Sequence, residues 1–334
     1  MKTLGLVSAS LLAAGVLLSA CQAAATVHPP GMATAPSSPH PTAKASAGST
    51  AAAGATPRLE VAAGRPCGYR VARPFYDHVM WIWMENESLA SIIGAPDAPY
   101  ATLLARRCGL ATDYYAITHP SLPNYLAATG GTTAGVSDDG EPSVHPIAGA
   151  SIFSQVSAHG LTWRAYAESM PTPCDTVTSG LYAARHNPAV YYIALRAACD
   201  QDDVAMGSIS GGALHRALYA GMLANFVFVT PNICDDAHSC PVSHGDEWLS
   251  AFLSMVFASP TYRLGHTAVF VVWDEGNLTN QVPAIVVAPS VPSATRSAVG
   301  FDHYSLLRTA EQLLGLPALL NSAKAHSMVT AFGL

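Results

Sequence analysis

The sequence predicts an α/β fold, a mainly parallel central sheet with helices on both faces, and three observations predict it. Short contiguous apolar runs recur: HVMWIWM at His78–Met84, FVFVT at Phe226–Thr230 and TAVFVVW at Thr267–Trp273. Strands buried on both faces have this composition. Segments of helical length and pattern lie between the runs, which is the alternation of parallel sheets. Polar, ligand-type residues stand just past the run ends: Glu85-Asn86, residues 232–236 and Asp274-Glu275. In open α/β sheets ligands bind outside the carboxyl ends of strands, so these groups are placed to converge in space.

Along the chain, Lys2 followed by the apolar residues 4–18 has the charge and length of an export signal and is short for a membrane span. Leu18-Ser19-Ala20-Cys21 resembles the lipobox of bacterial lipoproteins, which implies a signal at 1–20 and a lipid on Cys21; ordinary secretion with cleavage near Ala23 or Ala25 is the alternative. Residues 21–57 hold no acid, no aromatic residue and one base, Lys44, among Ala, Pro, Ser, Thr and Gly. Such a stretch cannot bury enough apolar surface to fold, and it reads as a tether. A catalytic domain is expected over 58–334. Within it the predicted elements are the strand His78–Met84, a helix at 100–107, a strand at 111–117, a helix at 151–159, a strand at 161–166, the strand Phe226–Thr230, a helix at 246–257, the strand Thr267–Trp273, a strand at 285–288 and the helix His303–Leu314.

The chain has 334 residues, 50% hydrophobic and 11% charged, which excludes a disordered chain and a coiled coil. A net charge of −6 with no run of Lys or Arg gives no field for nucleic acid. The cysteines beyond Cys21 are Cys67, Cys108, Cys174, Cys199, Cys234 and Cys240. An even count in an exported chain points to disulfides, and sequential pairing is the expectation: Cys67–Cys108, Cys174–Cys199 and Cys234–Cys240. Free buried thiols are the alternative. A zinc site is not expected, because there is no Cys-x-x-Cys pair.

Glu85, Asn86, Asp274 and Glu275 are hard oxygen ligands suited to Mg²⁺, Ca²⁺ or Mn²⁺, and carboxylates crowded together repel unless a cation sits between them. Each pair taken alone is as well read as a solvated strand end. Thr118-His119-Pro120-Ser121-Leu122-Pro123-Asn124 is the densest local signal. Prolines fix the backbone around Ser121, and a helix starting there would turn its N–H groups and dipole toward an anion. Ser121 is so placed to attack phosphorus, with Asn124 one turn on to bond a phosphoryl oxygen; the plain alternative is a helix N-cap. His186, His238 and His303 stand out from the other histidines by their motif context alone.

These segments together resemble the bacterial phosphoesterase family, which holds secreted acid phosphatases and phospholipases C within the alkaline phosphatase-like superfamily. The matching stretches are MENES at 84–88, THPSLPNYLAATGG at 118–131, ARHNP at 184–188, FVTPN at 228–232, HGDEWL at 244–249, WDEG at 273–276 and DHYSLLRT at 302–309. They cover roughly residues 75–318 and are closer to the compact acid phosphatase branch. The resemblance implies an alkaline phosphatase-like fold, with Glu85, Asn86, Asp274 and Glu275 on a divalent metal and Ser121 as nucleophile. It further implies His186, His238 and His303 around the phosphate or leaving oxygen, with His119 a weaker candidate. Asn124 is implied as a phosphate ligand, since Ser-x-Pro-Asn also resembles the nucleophile segment of nucleotide pyrophosphatases. One stretch departs from the family: where members commonly carry Asn-Asp-Met-His-Asp, this chain has Asp235-Asp236-Ala237-His238-Ser239, keeping Asp236 and His238 as candidate substrate-site residues.

The function expected is an exported, metal-dependent phosphoric monoester hydrolase acting through a phosphoserine on a phosphorylated small molecule or phospholipid head group. It would have no nucleic-acid partner, and would meet the membrane only through Cys21. The alternatives are a phospholipase C-like phosphodiesterase, a phosphoinositide phosphatase, and a lipid-anchored binding protein with a decayed site.

Overall fold

Strand β1, His78–Met84, is the spine of the molecule in the computed structural model, with every residue from Val79 to Met84 buried. Successive side chains of a strand point to opposite faces, so this run of burial means that both faces of the sheet are covered. The structure describes residues 65–71 and 75–334. The expected signal at 1–20, the tether at 21–57 and Cys21 lie outside the described residues.

The other strands are β2 (Gly109–Ala111), β3 (Tyr114–Tyr115), β4 (Trp163–Ala167), β5 (Asp203–Ala205), β6 (Phe226–Thr230), β7 (Thr267–Trp273), β8 (Ala284–Val287), β9 (Thr295–Ser297) and β10 (Phe301–Asp302). The main sheet is 8-stranded, in the order β5-β4-β6-β1-β7-β8-β2-β9, and β10 pairs with β3 alone. Every pairing in it is parallel except those of β8, which runs antiparallel to β7 and β2. The helices fall into two packed groups. Pro99–Arg107 lies on Val242–Ala258, which lies on Ala213–Ala220; Ser121–Gly130 lies on His303–Leu314 and on Ile152–Ala158.

Two expected elements differ. Residues 111–117 do not form one strand. The chain pairs at β2, turns, and pairs again with a different partner at β3, because Thr112 N–H donates to the Ser297 carbonyl at 2.8 Å and the Asp113 carbonyl accepts from Phe301 N–H at 2.9 Å. The helix expected at 246–257 begins a turn earlier, at Val242 behind Pro241. Asp246 is therefore not a first-turn acid of its own helix. Its carboxylate reaches the Pro99–Arg107 helix, which has no capping side chain of its own, and accepts from Tyr100 N–H and Ala101 N–H, each at 2.8 Å. These are N–H groups that a helix start leaves unsatisfied.

The cysteines pair sequentially, as Cys67–Cys108, Cys174–Cys199 and Cys234–Cys240, so the alternative of free thiols is excluded for these six. All five tryptophans are core residues. Trp83 forms part of the floor under the strand ends, stacked on Phe228 and against Tyr125 and His303. Among the described residues no helix is long and apolar enough to cross a membrane.

Candidate active site

Register brings the first groups together. β1 and β7 are aligned from His78↔Thr267 to Met84↔Trp273, so the next residues, Glu85 and Asp274, emerge side by side. Asp274 N–H donates to the Met84 carbonyl at 3.1 Å. Asn86 takes a left-handed conformation, φ 56°, which Asn tolerates better than most residues, and its N–H donates to Asp274 Oδ1 at 3.0 Å. On the other side of β1, β6 runs out into the loop that carries Asp236, and Glu85 N–H donates to the Asp236 carbonyl at 3.0 Å.

Ser121 arrives from the edge of this group. It is the first residue of the helix Ser121–Gly130, with Pro120 at the N-cap and a cis His119–Pro120 peptide before it. The N-cap alternative for Ser121 is thereby overturned. Its hydroxyl donates instead to Glu85 Oε2 at 3.2 Å, and the Tyr125 hydroxyl, one turn on, donates to Glu85 Oε1. The N–H of Leu122 is satisfied from outside the helix by Asp139 Oδ1 at 2.9 Å. His186 completes the floor: Nε2 lies 3.4 Å from Glu85 Oε2 and Nδ1 3.3 Å from Asp236 Oδ2, with no solvent exposure.

Glu85, Asp236 and Asp274 are carboxylates with no solvent exposure. Burial pushes their carboxyl groups up, Asp274 to about 6 and Asp236 to about 8. Glu85 is raised well above its ordinary value by burial and then by Asp274 and Asp236. Burial, then Asp274 and Asp139, carry Glu275 to about 8. His186 is held well below the ordinary imidazole value by burial, then by Arg185 and His238, so it stands neutral with one nitrogen lone pair to offer. Asp236 Oδ2, Asp274 Oδ2 and both nitrogens of His186 are buried without a hydrogen-bond partner. Unsatisfied buried groups of this kind are costly, and their concentration in one place is what a cation would relieve. Ligand atoms of Glu85, His186 and Asp236 lie within 4.8 Å of one another, a group able to hold a metal ion.

Several expected site residues are placed otherwise. Asn124 has no exposure, and its amide is fully engaged in the loop before Ser121: Oδ1 accepts from Ile117 N–H (2.9 Å) and Thr118 N–H (3.0 Å), and Nδ2 donates to the carbonyls of Thr118 (2.9 Å) and Pro120 (3.2 Å). It shapes the loop before Ser121, and its polar atoms are taken up by the backbone there. His303 is buried below the site, Nδ1 2.9 Å from the Tyr114 hydroxyl and Nε2 2.6 Å from the Asp274 carbonyl, and so does not face a leaving group. Asp236, expected beside a substrate, joins the buried ligand group. Glu275 turns to the mouth, where its Oε2 is 2.9 Å from His119 Nδ1. His238 is exposed, with its ring 5.6 Å from that of His186. Sequence reasoning missed Tyr125, Asp139 and Arg185. Arg185 stands inside a motif already singled out, whereas Tyr125 reads as helix core and Asp139 sits in a loop without periodicity.

A mainly parallel sheet carrying a serine at a helix start beside clustered carboxylates and an imidazole has the make-up of an ester-hydrolase site. The sequence matches the Phosphoesterase family over residues 95–317, and the chain belongs to that family. It is 32% identical over 283 residues to a phosphatidylinositol-3-phosphatase of Mycobacterium tuberculosis, covering 84% of this chain and 88% of that one. It is 24% identical over 260 residues to an acid phosphatase of Aspergillus fumigatus, covering 73% of this chain and 56% of the fungal one. Among solved structures, a protein of the alkaline phosphatase superfamily from Vibrio parahaemolyticus superposes with a TM-score of 0.53 at 12% identity, over 77% of this chain and 72% of that one. The lipoteichoic acid synthase LtaP of Listeria monocytogenes superposes with a TM-score of 0.54 at 9% identity, over 75% and 76%. These two likenesses concern the fold alone.

Proposed function

We propose that the chain is an exported, metal-dependent phosphoric monoester hydrolase, acid phosphatase-like, with Ser121 as nucleophile and a phosphoserine intermediate. The observation that carries this is the Ser121 hydroxyl, at a helix start, 3.2 Å from Glu85 Oε2 in a group of buried carboxylates. A divalent cation fits the donor set, and Glu85, Asp236, Asp274 and His186 would hold it, with Asn86 and Glu275 flanking. When bound it supplies positive charge that lowers the pKa of the serine and polarises the phosphoryl group. Because the set includes an imidazole, Mn²⁺ suits it better than Mg²⁺ or Ca²⁺.

Ser121 Oγ attacks phosphorus in line as its proton is held at Glu85 Oε2. The P–O bond to the alcohol breaks as the P–O bond to Ser121 forms, and His119, beside Glu275, would give the departing oxygen its proton. Water then attacks the phosphoserine, forms inorganic phosphate and returns Oγ to Ser121. The helix start directs its dipole at the phosphoryl oxygens through both steps. The three disulfides support an export route. A lipid anchor at Cys21 remains part of the proposal.

The finer substrate reading is a phosphoinositide head group, supported by the 32% identical relative named for that activity. The test compares p-nitrophenyl phosphate, bis-p-nitrophenyl phosphate and vesicles carrying phosphatidylinositol 3-phosphate, with and without chelator. Monoester turnover that falls with chelator and returns with Mn²⁺ is the expected result. Preferred turnover of the diester, or full turnover in chelator, overturns it.

A further inference from the structure

Arg185 has no role in the scheme above, yet it completes a circuit of contacts around the nucleophile. Ser121 Oγ lies 3.2 Å from Glu85 Oε2, which lies 3.4 Å from His186 Nε2. The His186 and His238 rings stand 5.6 Å apart. His238 Nε2 is 3.1 Å from Arg185 Nη2, and Arg185 Nε is 3.8 Å from Asp139 Oδ2. Asp139 Oδ1 accepts from the N–H of Leu122, the neighbour of Ser121, at 2.9 Å. Carboxylates, imidazoles and a hydroxyl make up the rest of this ring. Arg185 brings its one guanidinium, linked to the helix start at Ser121 through Asp139 and Leu122 N–H, with the side chain 21% exposed and therefore open to a ligand.

The guanidinium is held in place, but loosely. It can only donate, so His238 Nε2 must accept, which leaves the ring proton on Nδ1 to donate to Ser239 Oγ at 3.0 Å. The Asp139 contact is long, 3.8 Å, made through Nε and partly open to water, so it is a weak pair. A phosphoryl group offers a better partner, because two of its oxygens match the planar guanidinium fork.

We propose that Arg185 anchors the phosphoryl group of the substrate, exchanging Asp139 for two non-bridging oxygens, and that it sets the preference for a monoester over a diester. The inference rests on the phosphoester-hydrolase reading with Ser121 as nucleophile. The preference follows from charge: a monoester dianion loses more than a diester monoanion when the guanidinium is removed. Asp139 is the resting partner that keeps Arg185 aimed at the opening while the site is empty of substrate.

The experiment uses the purified full chain and its Arg185→Ala, Arg185→Lys, Asp139→Asn and Ser121→Ala variants. For Arg185→Ala, kcat/KM on p-nitrophenyl phosphate should fall about 100-fold and on bis-p-nitrophenyl phosphate about tenfold or less. Inhibition by inorganic phosphate should weaken about tenfold. Lysine, a point charge, should restore only part of both. Asp139→Asn, whose amide oxygen can still accept from Leu122 N–H, should tighten phosphate inhibition by releasing Arg185. If Arg185→Ala keeps the wild-type monoester-to-diester ratio and phosphate inhibition while Ser121→Ala is inactive, the Arg185 assignment is overturned and the nucleophile stands. If Ser121→Ala retains turnover, the underlying reading fails first. Should Arg185→Ala not fold, Arg185→Lys with wild-type phosphate inhibition and ratio overturns the proposal equally.

Discussion

His303 Nε2 stands 2.6 Å from the backbone carbonyl oxygen of Asp274, with no solvent reaching the ring. Burial lowers this imidazole to about 4, so it is neutral under working conditions and serves as a brace between the His303–Leu314 helix and the end of β7. The Tyr114 hydroxyl holds its other nitrogen.

On the proposed metal reading, a brace under Asp274 affects metal affinity before it affects chemistry. His303→Ala should raise the Mn²⁺ concentration for half-maximal activity by about 10–100-fold, with partial recovery of kcat at saturating metal. Metal titration of activity, supported by calorimetric binding, checks this. Unchanged metal dependence with a lost pH limb would instead make His303 an acid or base.

The Cys234–Cys240 disulfide encloses Asp236 and His238 in a short loop, with a sequence separation of 6, whereas Cys67–Cys108 spans 41. Chain entropy gives the longer closure about 4 kcal/mol and the shorter about 2. Replacing both members of the short pair by Ser should therefore lower Tm less than replacing the long pair, yet reduce kcat/KM more. Thermal melts and p-nitrophenyl phosphate kinetics on the two variants decide it.

Asp246 caps a helix other than its own. Asp246→Ala should cost about 1–3 kcal/mol of stability by exposing two helix N–H groups, with kcat of the folded enzyme unchanged. Urea denaturation and kinetics below the transition measure both.

Asp203 on β5 has no exposure. Oδ2 accepts from Asn187 Nδ2 at 2.8 Å, while Oδ1 is unpartnered. Burial raises its carboxyl to about 7, above its unfolded value near 4. The folded state thus binds the proton more tightly. This contribution to stability is complete below about pH 4 and is lost as pH rises through about 7. Asp203→Asn should flatten the fall in Tm across that window. A wild-type Tm with no such fall, or a variant with the same slope, contradicts the assignment.

Much of the fold was legible because buried parallel strands announce themselves. β1, β6 and β7 take the bounds their apolar runs suggest, and both the metal-type pairs and Ser121 fall at their edges. Turns at Thr112-Asp113 were not legible, since the change of partner there depends on Ser297 and Phe301, far along the chain. For the same reason the sequence places Asn124 and His303 beside the substrate, whereas both are engaged by the backbone. Residue type and spacing show that an amide or imidazole is near the site, but not whether its polar atoms face a ligand or a backbone carbonyl. Asp236 stands among the buried carboxylates because the loop after β6 folds back onto Glu85, a contact no local pattern records.

With Ser121 as nucleophile, phosphorus is carried on its Oγ during turnover. Acid quench during turnover of p-nitrophenyl phosphate, followed by peptide mass spectrometry, tests it directly. The account predicts one phosphoryl group on the peptide holding Ser121, absent from Ser121→Ala, which should be folded, bind phosphate and lose at least about 10³-fold in kcat. A phosphoryl group on a histidine, or wild-type turnover by Ser121→Ala, would contradict it.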